Sequence, residues 1–130
     1  MNLVEIKDIL EATVITSQAS LRHSVASVYC ADLMSDVLSF SIAKGLLITG
    51  LTNAQVIRTA EMAAIDMIVF IQGKRPALQT ISLAEEKNIP LLVTDLSMFD
   101  TCGRLYEKGL RSQSAAVRRP SIVACNEGSI

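Results

Sequence analysis

Residues 46–53, Leu-Leu-Ile-Thr-Gly-Leu-Thr-Asn, pass from a short apolar run into a polar turn, and a segment with helical periodicity follows. In the run 46–49, apolar residues follow one another and do not alternate with polar ones, so both faces of the segment are apolar. This pattern is typical of a strand in a parallel sheet that helices cover on both sides. Between residues 54 and 64 the apolar positions form one helical stripe. The stretch therefore predicts a strand, a turn and an amphipathic helix, as in a β-α-β unit.

The same alternation continues on both sides of this stretch. Helical stripes lie at 78–84 and 99–106, and the second ends near Gly109, a residue type that favours the end of a helix. Residues 3–10 predict a short amphipathic helix, and residues 13–16 predict a brief strand. Three further apolar runs predict strands: 27–31, 67–71 and 91–94. We expect an α/β fold, a single three-layer domain with a short, mainly parallel sheet of about four or five strands flanked by helices.

The chain has 130 residues, the common size of one domain, and its hydrophobic share of 50% excludes a disordered chain. We expect the domain to span residues 1–110. From 111 to 119 the sequence has three arginines, no acidic residue and little periodicity. The segment 111–130 is therefore predicted to be a tail that is mobile or docked on a neighbouring subunit. Within it, the apolar run 122–124 is a candidate edge strand.

Composition argues against several partners. The net charge is −1 and no aromatic residues interleave with the arginines of the tail, so we expect no nucleic acid to bind. No apolar run approaches the roughly 20 residues of a membrane helix and the N-terminus is not a signal peptide, so we expect no membrane and a cytoplasmic protein. The cysteines are widely spaced, so we expect buried or unused thiols and no metal site. They are Cys30, Cys102 and Cys125.

Polar residues and glycines follow the predicted strands. In an open parallel sheet these strand ends share one edge, where helix N-termini can hold a phosphate or a carboxylate. Thr52 with Gln55, and Ser97 with Asp100, have the spacing of a capping box, so helices are predicted to begin after them. The candidate ligand-binding residues are Asp32, Thr49, Gly50, Thr52, Asn53, Gly73 and Lys74. Capped helices and glycine turns also occur at this edge in α/β domains that bind no ligand.

Catalytic patterns are absent from the sequence. There is no phosphate loop of the G-x-x-x-x-G-K-[ST] type and no G-x-G-x-x-G dinucleotide fingerprint. The single histidine, His23, lies in a polar segment, and Cys102 falls on the apolar stripe of a predicted helix. Asp32 and Asp36 are spaced for a cation, but helix capping by Asp32 explains them more simply. We therefore expect no catalytic residues, no cofactor and no enzymatic activity.

The chain resembles the DRTGG domain family over about residues 1–110. The resemblance rests on five segments: 31–38 (Ala-Asp-Leu-Met-Ser-Asp-Val-Leu), 47–53 (Leu-Ile-Thr-Gly-Leu-Thr-Asn), 58–63 (Arg-Thr-Ala-Glu-Met-Ala), 68–76 (Ile-Val-Phe-Ile-Gln-Gly-Lys-Arg-Pro) and 89–94 (Ile-Pro-Leu-Leu-Val-Thr). Where the family name expects Gly-Asp-Arg the chain has Gly50-Leu51-Thr52, and where it expects Thr-Gly-Gly the chain has Ile71-Gln72-Gly73. The chain thus retains Gly50 and Gly73.

This resemblance implies an α/β fold, a homodimer or higher assembly, and a regulatory role. The family is similar to the non-catalytic N-terminal domain of HPr kinase/phosphorylase, and in some pyrophosphatases the domain accompanies nucleotide-sensing CBS domains. It therefore implies an adenine nucleotide or another phosphorylated metabolite as ligand, and a partner enzyme. The alternative is a structural protein–protein interaction domain without a small-molecule ligand, whose apolar surface and tail serve oligomerisation. A closed pocket at the sheet edge favours the first hypothesis, and a large apolar interface favours the second.

Overall fold

The computed structural model describes residues 1–17, 23–39 and 44–112. From residue 27 onward strands and helices alternate along these ranges, and the helices and strands predicted from the sequence within the described residues are all present. The elements are α1 (Leu3–Leu10), β1 (Thr13–Val14), β2 (Ser27–Cys30), α2 (Met34–Leu38), β3 (Gly45–Thr49), α3 (Ala54–Met62), β4 (Ile65–Phe70), α4 (Leu78–Glu86), β5 (Leu91–Val93) and α5 (Met98–Glu107). The predicted edge strand at 122–124 and the tail from residue 113 onward lie outside the described residues.

The five strands form one sheet in the order β1-β5-β4-β3-β2. Strands β2 to β5 pair in parallel, whereas β1 pairs antiparallel with β5. The mainly parallel sheet is therefore confirmed. Because β2 to β5 run in the same direction, their carboxyl ends all lie at one edge of the sheet.

Helices cover both faces of the sheet, which is why the strands are apolar on both sides. On one face, α1 and α5 pack over Leu46, Met67 and Leu92. On the other face, α2, α3 and α4 pack over Leu47 and Ile68 and their neighbours. The predicted three-layer α/β fold is confirmed.

Two of the predicted helix starts have different outcomes. The hydroxyl of Ser97 accepts a hydrogen bond from the Asp100 amide at 3.1 Å, so α5 begins as predicted. The capping box of Thr52 with Gln55 is wrong, because the residue that caps α3 is Asn53, whose side chain makes no capping hydrogen bond. Threonine and asparagine both favour the N-cap position of a helix. The capping-box spacing predicted Thr52 at this position, but Asn53 occupies it.

The connections after β4 and β5 leave the sheet on opposite faces. Helix α4 follows β4 and packs beside α3, whereas α5 follows β5 and packs beside α1. When the connections of two neighbouring parallel strands leave the sheet on opposite faces, a crevice opens beyond the carboxyl ends of the strands. Open α/β sheets bind ligands in such crevices. In this fold the crevice lies between the loops after β4 and β5. No helix in the described ranges is long and apolar enough to cross a membrane.

Candidate functional site

Asp32, in the loop after β2, organises one end of the carboxyl edge. Its Oδ1 atom accepts a hydrogen bond from the Thr49 hydroxyl at 3.0 Å and another from the Gly50 amide at 2.8 Å. The Thr49 oxygen in turn accepts a hydrogen bond from the Leu51 amide at 3.1 Å. This carboxylate therefore ties the end of β2 to the end of β3, its neighbour in the sheet.

The position of Asp32 corrects its predicted role. Helix α2 begins after Leu33, and no side chain caps it by a hydrogen bond. Asp32 does not cap α2, because its Oδ1 already binds the Gly50 amide and the Thr49 hydroxyl across the sheet. Its Oδ2 atom makes no hydrogen bond with the described residues and stays available at the exposed rim.

The loop after β4 brings Lys74 to the same place. A Cβ atom built on Gly50 would lie 3.5 Å from the Lys74 ammonium and 3.6 Å from Asp32 Oδ1. Lys74 is exposed, and the two ion pairs in the described ranges, Lys87–Glu61 and Arg104–Glu11, do not involve it. Gly50 therefore leaves an opening between a cation and a carboxylate.

Gln72 and Gly73 form a tight turn next to this opening. Both have left-handed backbone conformations, with φ of 56° at Gln72 and 67° at Gly73. The Gln72 amide donates to the Leu96 carbonyl at 2.9 Å, and the Gly73 amide donates to the Thr94 carbonyl at 2.8 Å. These bonds join the loop after β4 to the loop after β5, at the crevice between the two strands.

Asp95 also lies at this edge, and it is not among the ligand-binding residues predicted from the sequence. A Cβ atom on Gly73 would lie 3.0 Å from Asp95 Oδ1. The available signal was its position, since Asp95 follows β5 as Asp32 follows β2. Acidic residues are common at strand ends, so this signal alone did not single it out.

The remaining candidates lie at the start of α3. Asn53 is exposed and Thr52 is half-buried. Among the described residues, no hydrogen bond joins either side chain to Asp32 or Lys74. The fold thus brings Asp32, Thr49, Gly50 and Lys74 together, places Gly73 beside them, and leaves Thr52 and Asn53 at the adjoining helix terminus.

The DRTGG domain family model matches residues 5–107. The chain belongs to the DRTGG domain family. The resemblance expected from the sequence is thereby confirmed over almost the same range. No curated protein matches the chain.

A solved structure shares the DRTGG domain fold. It contains the CBS and DRTGG domains of the regulatory region of Clostridium perfringens pyrophosphatase, in complex with the activator diadenosine tetraphosphate. The TM-score is 0.62 and the sequence identity is 18% over 80% of this chain. The chain spans 45% of the length of that structure's chain. At this identity the likeness concerns the fold.

The two signature loops of the DRTGG domain are neighbours in this structure. Gly50 follows β3 and Gly73 follows β4, and these two strands pair in parallel. Gln72, which replaces the first glycine of Thr-Gly-Gly, has a left-handed conformation that glycine adopts without strain. The family pattern therefore marks one edge of the sheet, where Asp32 and Lys74 also lie.

At this edge the Lys74 ammonium lies near the carboxylate of Asp32, and the carboxylate of Asp95 lies beside Gly73. The Lys74 ammonium suits a phosphate, whereas the oxygens of Asp32 and Asp95 suit hydroxyl or amine donors. In the described part of the chain, no group of three or more His, Cys, Asp or Glu side chains is arranged to hold a metal ion. The arrangement is suited to recognising a molecule that carries both negative charge and hydrogen-bond donors.

Proposed function

We propose that this chain is a regulatory, non-catalytic domain that binds an adenine nucleotide or a related phosphorylated metabolite at the carboxyl edge of its sheet. The proposal rests chiefly on the exposed Lys74 ammonium, which stands beside the opening above Gly50 and opposite Asp32. The proposed ligand-binding residues are Asp32, Thr49, Gly50, Thr52, Asn53, Gly73 and Lys74.

The charges at this edge favour a nucleotide over a simple anion. The Gly50 amide already donates to Asp32, so it is not free to bind a phosphate. Inorganic phosphate bound at Lys74 would also meet the negative charge of Asp32. A nucleotide offers donors as well as phosphates, and its ribose hydroxyls or adenine amine can bind the free Oδ2 of Asp32. The N-terminus of α3, which no side chain caps, adds amide donors for a phosphate.

The family supports the regulatory part of the proposal. In the similar pyrophosphatase structure, the DRTGG domain belongs to a regulatory region that is complexed, together with its CBS domains, with the activator diadenosine tetraphosphate. We further propose that the chain works as a homodimer in the cytoplasm and acts together with a partner enzyme.

Assembly without a ligand is the second candidate function. Large apolar side chains stand exposed on several helices, and Phe99 and Tyr106 of α5 are 85% and 61% exposed. An exposed apolar face of this kind is typical of an interaction surface. The carboxyl edge does not require such a surface, so ligand binding and assembly can be tested separately.

A thermal-shift experiment tests the proposal. The purified chain is heated with ATP, AMP, diadenosine tetraphosphate, GTP or inorganic phosphate. A ligand at 100 times its dissociation constant adds about 2.7 kcal/mol of stability. For a domain of this size, that gives a rise of several degrees in melting temperature.

Two lysine variants supply the control. Lys74→Met removes the cation at the edge, whereas Lys7→Met removes an exposed cation from α1. We expect an adenine nucleotide to stabilise the wild type and Lys7→Met equally, and to stabilise Lys74→Met much less. No shift with any of these compounds, or equal shifts in both variants, would contradict the proposal.

A further inference from the structure

Two cysteines that are distant in the sequence meet across the α1–α5 face of the sheet. Cys30 is the last residue of β2, and Cys102 lies in the middle of α5. Their Sγ atoms are 3.0 Å apart, in hydrogen-bond contact, although 72 residues separate them in the chain. Both are free thiols, and both are half-buried against the core on this face. Sequence spacing gives no sign of this pair.

We propose that Cys30 and Cys102 are a reversible oxidation site, which a hydroperoxide converts to a disulfide. The side chains already touch, so the sulfur atoms need to approach by only about 1 Å to reach the bond length of a disulfide. The crosslink would join the sheet's edge strand β2 to α5.

Cys102 is the thiol that meets the oxidant. It lines a surface groove of about 500 Å³ together with Phe99, Gly103, Tyr106 and Glu107, so a small peroxide has a path to it. The hydrogen bond from Cys30 lowers the pKa of Cys102 to about 7, which places the thiolate within the physiological range. The hydrogen bond to Cys102 and burial raise the pKa of Cys30, so Cys30 keeps its proton.

The chemistry balances in two steps. The Cys102 thiolate attacks one oxygen of hydrogen peroxide and breaks the O–O bond, which gives a sulfenic acid and releases hydroxide. The Cys30 sulfur then attacks the sulfenic sulfur, the disulfide forms, and the thiol proton and the sulfenic hydroxyl leave as water. In total, two thiols and one peroxide give one disulfide and two waters. A dithiol reductant reverses the change.

The site has a direct connection to the carboxyl edge. Cys30 ends β2 two residues before Asp32, whose carboxylate binds Thr49 and Gly50. A crosslink at Cys30 would therefore fix the end of β2, from which the loop with Asp32 begins. An effect on nucleotide binding depends on the proposed function, whereas formation of the disulfide does not.

Peptide mapping of the full chain tests the oxidation site without any ligand. The protein is treated with hydrogen peroxide, its remaining thiols are alkylated, and it is digested with trypsin. Cleavage after lysine and arginine places Cys30 in residues 23–44, Cys102 in residues 88–104 and Cys125 in residues 119–130. We expect peptides 23–44 and 88–104 to be joined, and dithiothreitol to separate them.

Cysteine variants identify the roles of the two thiols. Cys125→Ser should form the same joined peptides as the wild type. In Cys30→Ser, the Cys102 sulfenic acid has no thiol to resolve it, and we expect a 1,3-diketone reagent to trap it. In Cys102→Ser, we expect at least tenfold less trapping at Cys30. Wild-type protein in which residues 119–130 are joined to either peptide instead, or in which Cys30 and Cys102 stay fully alkylated, would overturn the proposal.

Discussion

Gly50 and Gly73 are the two glycines that the chain shares with the DRTGG signature, yet they lie in very different surroundings. Gly73 has a φ of 67°, and an added Cβ would lie 3.0 Å from Asp95 Oδ1. Gly50 has no left-handed conformation, and the atoms nearest to an added Cβ, at 3.5 to 3.8 Å, belong to the ends of the Lys74 and Asp32 side chains. A side chain at position 73 would therefore be strained, whereas a side chain at position 50 would not.

This difference separates two reasons for a glycine. At Gly73 the turn that follows β4 supplies the reason, since other residues are strained there. At Gly50 the fold supplies none, and what the missing side chain provides is open space between the Lys74 ammonium and the Asp32 carboxylate. Under the proposed function, that space is where the ligand approaches the backbone.

The largest effect on stability is expected for Gly73→Ala. An alanine with a left-handed φ lowers the free energy of unfolding by about 1–2 kcal/mol, and contact with Asp95 adds to this cost. Urea denaturation measures the change. In the background of Asp95→Ala the contact is gone, so the part of the loss that remains is backbone strain. If Gly73→Ala unfolds at the same urea concentration as the wild type, a side chain at position 73 is not strained, and the proposed difference between the two glycines is contradicted.

Gln72→Gly should have the opposite sign. Gln72 already has a φ of 56°, so glycine relieves strain there and raises the free energy of unfolding by about 0.5–1 kcal/mol after its greater freedom in the unfolded chain is counted. Gln79→Gly, at an exposed position in the first turn of α4, is the matched control and should lower stability. Equal losses in both variants would show that the turn at Gln72 is not strained.

Gly50→Ala should have the smallest effect. Its Cβ makes ordinary contacts with flexible side-chain ends, so we expect the free energy of unfolding to stay within about 0.5 kcal/mol of the wild type. The same urea denaturation measures this. A loss as large as that of Gly73→Ala would mean that Gly50, too, is required by the fold.

Much of the fold could be predicted from the sequence because the parallel strands are buried on both faces. The runs at 46–49 and 67–71 are apolar on both sides, and their burial in β3 and β4 follows directly. The helices α3 and α5 follow from their apolar stripes. The local pattern of apolar and polar residues is sufficient to predict such helices and strands, because each of them depends on residues that are close together in the chain.

The candidate site could be predicted only in part. Topology brings the strand ends to one edge, so the loops around Gly50 and Gly73 were identified. The roles of side chains that reach across the sheet were not: Asp32 was expected to cap α2, and it binds Thr49 and Gly50 instead. The contact of Cys30 with Cys102 was missed for the same reason, since it joins β2 to α5 across 72 residues.

Isothermal titration calorimetry of the wild type and Gly50→Val with ATP and diadenosine tetraphosphate tests the central claim most directly. Valine extends beyond the Cβ position into the opening between Lys74 and Asp32. We predict saturable binding of at least one of these nucleotides to the wild type, and binding at least tenfold weaker to a folded Gly50→Val. No binding to the wild type, or equal binding to both proteins, would contradict the account.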